Sequence, residues 1–457
     1  MSILLGCIAD DFTGACDLAG ILARSGVRVN LRLGVPSDND INDVAPFEII
    51  ALKCRTLGID KALSSVSDAQ AWLTQHKAQR FFWKYCSTFD STATGNIGPI
   101  AEAMLDSFSR TSLNSAKKDY RTTIYCPAFP ENARSVYMSN LFVGEQLLAE
   151  SPMKDHPLTP MTDSNLCRLL DTQVSGSVGA ITWPTVSRGP EHIRNALDAH
   201  TENGVRHVVI DAVTADDLLS IVRATEHLAM LTGGSALAMH LPALFRVRGW
   251  LKDDDQADLP EPPAGKQLIL SGSCSSMTQR QVSAQASLAP SFQIDPLSLA
   301  RKDQLREARD WLAQTLAKCA PSSKIDNAVD APMIYATAGK EAVAAAQSEL
   351  GVAVAGELVE QALATLAQDA IDKDVRQLLV AGGESSGAVA QALALNSLRV
   401  GAEIAPGVPW TYADLGNETI AIALKSGNFG GEHFFKDAFS TLYESQQQPG
   451  KDSTSSR

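Results

Sequence analysis

No stretch of this chain approaches the roughly 20 consecutive apolar residues of a membrane-spanning helix. The opening MSILLGCIADD lacks a basic segment and reaches two acids too early for a secretory leader. No Cys-x-x-Cys pair occurs. The cysteines at 7, 16, 54, 86, 126, 167, 274 and 319 are scattered, which fits reduced thiols in a cytoplasmic protein rather than a disulfide scaffold or a zinc knuckle. The eight histidines form no His-Glu-x-x-His and no Cys/His cluster, so no metal ligand is assigned. Positive charge is also short: 39 Lys and Arg against 52 Asp and Glu leave a net charge of −13. That balance argues against nucleic-acid partners and against an anionic membrane surface. It leaves an anionic small substrate open, because charges beyond a Debye length of about 10 Å are largely screened and local cations decide such a site.

Signatures of the common nucleotide enzymes are missing too. Gly265-Lys266 is followed by Gln267, so there is no P-loop, and no Gly-x-Gly-x-x-Gly follows a strand-like run. The second gap counts against a nicotinamide-dependent dehydrogenase, and the protein-kinase motifs are absent as well.

What is present is alternation. A chain of 457 residues is expected to hold two cores. Strand-like runs at Ile3–Ala9, Val27–Leu33, Phe47–Leu52, Phe81–Tyr85, Thr122–Cys126, Val178–Ile181 and His207–Asp211 alternate with helical patterns such as Phe12–Arg24, Lys61–His76, Gly98–Ser109, Glu191–Glu202 and Ala215–Leu228. After RVRGWLKDDDQADLPEPPAGKQ, a linker by composition, the alternation restarts. Its strands are Leu268–Leu270, Phe292–Asp295, Met333–Ala336, Leu378–Ala381, Val400–Ile404 and Thr419–Lys425, with helices in Ala300–Ala320 and Lys340–Gln368. The fold class expected is two α/β domains, each a mostly parallel sheet flanked by helices. The boundaries expected are 1–246, a linker at 247–265, a second domain at 266–444, and a polar tail at 445–457 without fixed structure.

Chemistry is expected at the carboxyl ends of the strands. Asp10-Asp11 closes the first greasy run, ahead of Thr13-Gly14; one acid suffices to cap the following helix, so the second asks for another use. Lys84 is followed by Ser87, Thr88, Asp90, Ser91, Thr92, Gly95 and Asn96, a set of hydroxyls with one ammonium and one carboxylate that suits a small hydroxylated anion. Against that stands a plain N-cap cluster for the next helix. Arg55 closes another strand, where it could fork a carboxylate or serve a surface ion pair. Gly233-Gly234-Ser235 could offer amides to an anion or make only a tight turn. Beyond the linker, Ser271-Gly272-Ser273, Gly382-Gly383-Glu384-Ser385-Ser386-Gly387 and Lys425-Ser426-Gly427-Asn428 with Gly430-Gly431 are three glycine- and serine-rich strand ends in one domain. Together they read as an oligophosphate site.

Four stretches in this order, ADDFTGA (9–15), KYCSTFDSTATGN (84–96), AGGESSG (381–387) and KSGNFGG (425–431), resemble the motifs of the four-carbon acid sugar kinase family. The likeness runs from about residue 3 to about 440. The Cys-Ser-Thr-Phe-Asp-Ser-Thr form of the second motif is similar to the 3-oxo-tetronate kinase branch. The resemblance implies a sugar acid in the N-terminal domain, ATP with Mg²⁺ in the C-terminal domain, and an active site in the cleft between them. By motif match, ATP contacts fall on Ser271 or Ser273, on Gly382, Gly383, Glu384 and Ser385, and on Gly427. Asp10 or Asp11 becomes the acid that orients the attacking hydroxyl. Thr13, Arg55, Lys84, Ser87, Asp90, Ser91, Thr92, Gly233 and Gly234 become candidates for the sugar acid. D-threonate or D-erythronate is the alternative acceptor, and a non-catalytic sugar-acid sensor is the alternative of a different class. Partners beyond these small molecules are not expected, apart from a second copy, since a homodimer is the commonest assembly.

Overall fold

In the computed structural model, residues 3–36, 44–110, 121–156, 158–252, 255, 260–301, 303–322 and 331–444 are described. The chain divides into two compact units, residues 1–257 and 258–457. The polar segment 445–457 lies outside the described residues, as do 253–254 and 256–259 of the expected linker.

In the first unit the strands are β1 (Leu5–Ala9), β2 (Val29–Leu33), β3 (Phe47–Ala51), β4 (Arg80–Lys84), β5 (Thr123–Cys126), β6 (Arg134–Tyr137), β7 (Asn140–Val143), β8 (Gln146–Leu147), β9 (Val178–Ile181), β10 (His207–Ile210) and β11 (Met230–Gly233). Leu5–Ala9 is buried at every position, as expected of a strand covered on both faces. It lies parallel between β3 and β4, and the sheet runs β2-β3-β1-β4-β11-β5-β10-β9, parallel throughout. The chain leaves β1 for β2 and β3 on one side and crosses to β4 on the other. That reversal opens a crevice at the carboxyl end of β1, the usual ligand position in such sheets. Strands β6 to β8 form a separate antiparallel sheet, which no expected run announced.

The second unit contributes β12 (Lys266–Ser271), β13 (Ser291–Gln293), β14 (Met333–Tyr335), β15 (Val375–Ala381), β16 (Ser397–Ala405), β17 (Val408–Leu415) and β18 (Glu418–Lys425). Their order is β13-β14-β12-β15-β18-β17-β16, parallel as far as β18 and antiparallel beyond it. Ile269, Met333, Leu379, Trp410, Ala423 and Phe439 belong to one buried cluster beside this sheet. The long pattern 340–368 breaks into helices Lys340–Leu350 and Val352–Ile371 at Gly351, whose φ of 83° only glycine adopts without strain. Among the described residues no single helix is long and apolar enough to cross a membrane.

Candidate active site

Asp10 and Asp11 leave β1 in different directions. Asp11 is the N-cap of helix Phe12–Ala23: its Oδ1 accepts from the Gly14 N–H at 3.0 Å. Asp10 is buried, and its backbone carbonyl accepts from the amides of Cys54 and Arg55, which draws the end of β3 against the end of β1. Arg55 is thereby aimed at the acids. Its Nε and Nη2 donate to Asp10 Oδ2 and Oδ1 at 2.8 and 2.9 Å, and Nη2 lies 2.8 Å from Asp11 Oδ1. Nη1 lies 3.4 Å from Asp90 Oδ2. One guanidinium thus holds three carboxylates. Burial pushes the Asp10 carboxyl above the usual carboxylate range, against the pull of Arg55 and with a further push from Asp11.

The loop after β4 is built to deliver Asp90. Phe89 and Asp90 are consecutive left-handed residues, φ 65° and 46°, and Phe89 is fully buried. Such a conformation at an aromatic residue is held only by its surroundings, a pattern common at functional sites. Thr88 Oγ1 donates to Asp90 Oδ1 at 2.7 Å. Lys84 is buried at the strand end, and its Nζ donates to the Tyr85 carbonyl at 2.8 Å. A Cβ on Gly14 would fall 2.7 Å from that Nζ and closer still to Asp11 Oδ1, so Gly14 is what lets acid and ammonium share the first turn of the helix.

Ser91 and Thr92 serve this loop from within. Gln173 Nε2 donates to Ser91 Oγ at 2.9 Å and to the Thr92 carbonyl, while its Oε1 accepts from the Gly98 amide. Asn96 Nδ2 donates to the carbonyls of Cys54 and Leu57 at 2.8 and 2.9 Å, tying the Lys84–Asn96 loop to the one that carries Arg55. Ser87 is half-buried on the first of these loops, and Thr13 is half-buried in the first turn of helix Phe12–Ala23. Gly233 pairs with Lys84 across the sheet. The Gly234 amide, however, donates to the Cys126 carbonyl at 3.1 Å, and a Cβ on Gly234 would meet the Pro127 carbonyl at 2.8 Å. These two glycines permit close packing against the chain after β5, and the Gly234 amide is committed.

In the second unit three strand ends interlock. The amides of Gly272 and Ser273 donate to the Ala381 carbonyl, and a Cβ on Gly272 would collide with Ser385 Oγ. Gly382, at φ 125°, precedes helix Gly383–Ala392 and caps it without a side chain. The first-turn amides of a helix lack acceptors inside it. Those of Gly383, Glu384 and Ser385 stand there with the exposed Glu384 carboxylate beside them. Ser271 Oγ is 2.8 Å from Thr337 Oγ1. Gly427 lies where a Cβ would approach Ser273 Oγ at 2.7 Å.

Lys425 at the end of β18 is fully buried; its Nζ donates to the Ser426 and Gly427 carbonyls, both at 2.8 Å, and to Thr278 Oγ1 at 3.3 Å. Burial pushes this lysine down to about 7. Gln173, Thr278 and Gln281 are the supporting residues that motif reasoning passed over, while Asn96, present in the second motif, proves to tie two loops together. Gln173 sits far along the chain in an ordinary helical end. Thr278 and Gln281 carried a signal, since they fall on the buried stripe of helix Ser276–Ala286, where apolar residues are the norm.

The geometry defines a two-unit α/β protein with one acid- and cation-lined site and one amide- and hydroxyl-lined site. Family models agree with this division: a sugar-binding N-terminal domain matches residues 5–241 and a nucleotide-binding C-terminal domain matches residues 268–435. A 3-oxo-tetronate kinase of Burkholderia multivorans is 45% identical over 96% of this chain and 97% of its own, and one of Cupriavidus necator is 44% identical over the same shares. A solved Salmonella typhimurium LT2 protein, named provisionally a tRNA synthase, is 37% identical with a TM-score of 0.83 over 95% of this chain and 98% of its own. A solved Haemophilus influenzae protein gives 36% and 0.77 over 96% and 100%. The chain belongs to the four-carbon acid sugar kinase family, in its 3-oxo-tetronate kinase branch. As a kinase of that family it uses ATP and a small-molecule acceptor.

Proposed function

We propose that this protein transfers the γ-phosphoryl group of ATP to the terminal hydroxyl of 3-oxo-tetronate, giving 3-oxo-tetronate 4-phosphate and ADP. The observation that carries this reading is that the loops gathered at the strand ends are the motif loops of a chain similar over its full length to 3-oxo-tetronate kinases. In the transfer, the bond from the acceptor O4 to phosphorus forms, the bond from phosphorus to the β,γ-bridging oxygen breaks, and the hydroxyl proton leaves late. Asp11 receives it: among the described residues its side-chain contacts, with the Gly14 amide and Arg55, are both made by Oδ1, which leaves Oδ2 to accept from the substrate hydroxyl. Asp10 and Asp90 fix Arg55, which with Lys84 balances the acids and draws the substrate carboxylate. Thr13, Ser87, Ser91 and Thr92 offer hydroxyls to the sugar acid, and Gly233 and Gly234 stand at the end of the strand beside Lys84.

The C-terminal loops hold the nucleotide through Ser271, Ser273, Gly382, Gly383, Glu384, Ser385 and Gly427. Among the described residues no three acidic, imidazole or thiol side chains gather as a cation cage. That donor set fits a Mg²⁺ carried by the nucleotide's own phosphates and water, with Glu384 as an outer partner. When bound, the ion neutralises developing phosphate charge. The eight free thiols accord with a cytoplasmic location.

The test is ADP production by the purified protein with Mg²⁺-ATP against 3-oxo-tetronate generated in situ, D- and L-threonate, and D- and L-erythronate. Turnover confined to the 3-oxo acid is expected. Turnover with a plain tetronate keeps the mechanism and changes the substrate. None with any of them overturns the reading.

A further inference from the structure

The loop after β18 has its carbonyls pulled to one side. Thr278 Oγ1 donates to the Gly427 carbonyl at 2.7 Å, alongside Lys425 Nζ, which also takes the Ser426 carbonyl. Gln281 Nε2 donates to the Phe429 and Gly431 carbonyls at 3.0 and 2.8 Å. In a trans peptide the N–H points opposite to the C=O. The amides of Gly427, Asn428, Gly430 and Glu432 therefore face away from the helix that carries Thr278 and Gln281. Among the described residues these four amides donate to no protein acceptor. Backbone amides turned to one side in this way make an anion-binding concavity.

We infer that Thr278, Gln281 and Lys425 are positioning residues of the nucleotide site, holding the 426–431 loop by its carbonyls so that its amides meet the oligophosphate. The inference rests on the kinase reading for the identity of the anion, but not for the direction of the amides. Thr278 is suited to the task because its hydroxyl donates to Gly427 while accepting from Lys425 and Ser275. Gln281 spends one amide nitrogen on two carbonyls, which sets the spacing between the Phe429 and Gly431 peptides. The Gly427 turn also packs on Ser273 and Ser275, so this loop and the Ser271–Ser275 loop form one continuous wall.

The experiment measures ADP binding by calorimetry, and KM for ATP and for the acid, in wild type, Thr278→Val, Gln281→Leu and Lys425→Met, with melting temperatures. Thr278→Ser, which keeps the hydroxyl, is the conservative control. Expected is a rise of about tenfold in the ADP Kd and the ATP KM for each apolar variant, the equivalent of one well-made hydrogen bond. The KM for the acid should stay within about twofold, and Thr278→Ser should bind ADP as wild type does. Folded Thr278→Val and Gln281→Leu proteins with wild-type ADP binding, or with equal rises in both KM values, overturn the inference. Should an apolar variant fail to fold, Gln281→Glu takes its place, since a carboxylate facing two carbonyls breaks the same contacts. Direct ADP binding separates the two hypotheses. A wild type that binds ADP but phosphorylates no four-carbon acid refutes the kinase reading while the comparison of variants still decides this one.

Discussion

Arg55 grips Asp10 through two parallel hydrogen bonds, 2.8 Å from Nε to Oδ2 and 2.9 Å from Nη2 to Oδ1, although the two residues stand 45 positions apart. The acid is buried and the guanidinium only one-fifth exposed, so neither charge is well hydrated. Removing one partner of a buried pair strands the other, at a cost of about 3–5 kcal/mol. Arg55→Met should therefore lose stability as well as activity. The Asp10 carboxyl already lies above its usual range through burial, and loss of the arginine raises it further. A raised acid makes the folded state bind more protons than the unfolded one, so stability is regained as pH falls through the raised value. Urea melts of variant and wild type at pH 7 and pH 5 should show a gap that narrows at the lower pH. A gap independent of pH would mean that Asp10 is not the group left exposed to the loss.

Asp11→Asn separates capping from chemistry. Asparagine caps helices as well as aspartate does, so the bond to the Gly14 amide survives and the melting temperature should change little. An amide accepts no proton, and kcat should fall by about 10²–10⁴-fold, the usual worth of a positioned base. An Asp11→Asn protein with kcat near wild type would move the base role to another acid.

Gly14→Ala runs against helix propensity. Alanine inside a helix is favoured over glycine by about 1 kcal/mol. Here the new methyl would press on the Asp11 carboxylate and come within 2.7 Å of Lys84 Nζ. The expected result is a raised KM for the acid and a lowered kcat without the gain in melting temperature that propensity alone would give. Steady-state kinetics with a thermal melt checks both.

The sequence carried the parallel core well because a strand covered on both faces reads as an unbroken apolar run, as Leu5–Ala9 does and as Leu378–Ala381 does after the polar Arg376 and Gln377 that open β15. It carried β17 poorly, since Val408–Leu415 mixes Pro409, Thr411 and Asp414 into a strand that pairs antiparallel. The acids and Arg55 were visible as residues at strand ends; their mutual grip was not, because nothing local links positions 10, 55 and 90. The same holds for Gln173, whose partners Ser91, Thr92 and Gly98 lie far earlier in the chain. Gly233 and Gly234 were legible as a glycine pair at a strand end, but the approach of the Cys126 and Pro127 carbonyls that requires them to be glycine was not, because those residues lie far earlier in the chain.

Lys425 should leave a mark on the pH dependence of both stability and nucleotide binding. Its ammonium lies within hydrogen-bonding distance of three acceptors, Ser426 O, Gly427 O and Thr278 Oγ1, and using all three as acceptors takes all three of its protons. Burial nevertheless lowers it from an ordinary value of 10.5 to about 7. Between those two values the unfolded chain binds more protons than the folded one, so stability should rise with pH from about 7 towards 10. Lys425→Met removes that rise, and denaturant melts at pH 6, 8 and 9.5 would show the wild-type curve climbing while the variant stays flat. An oligophosphate bound at the loop favours the charged form, as an opposite charge does for any titrating group. ADP binding at pH 8 should then take up a fraction of a proton, seen as a difference in calorimetric enthalpy between buffers of unequal ionisation heat. The uptake should vanish in Lys425→Met. Uptake that persists in the variant would place the titrating group elsewhere and leave Lys425 in the same charge state with and without ADP.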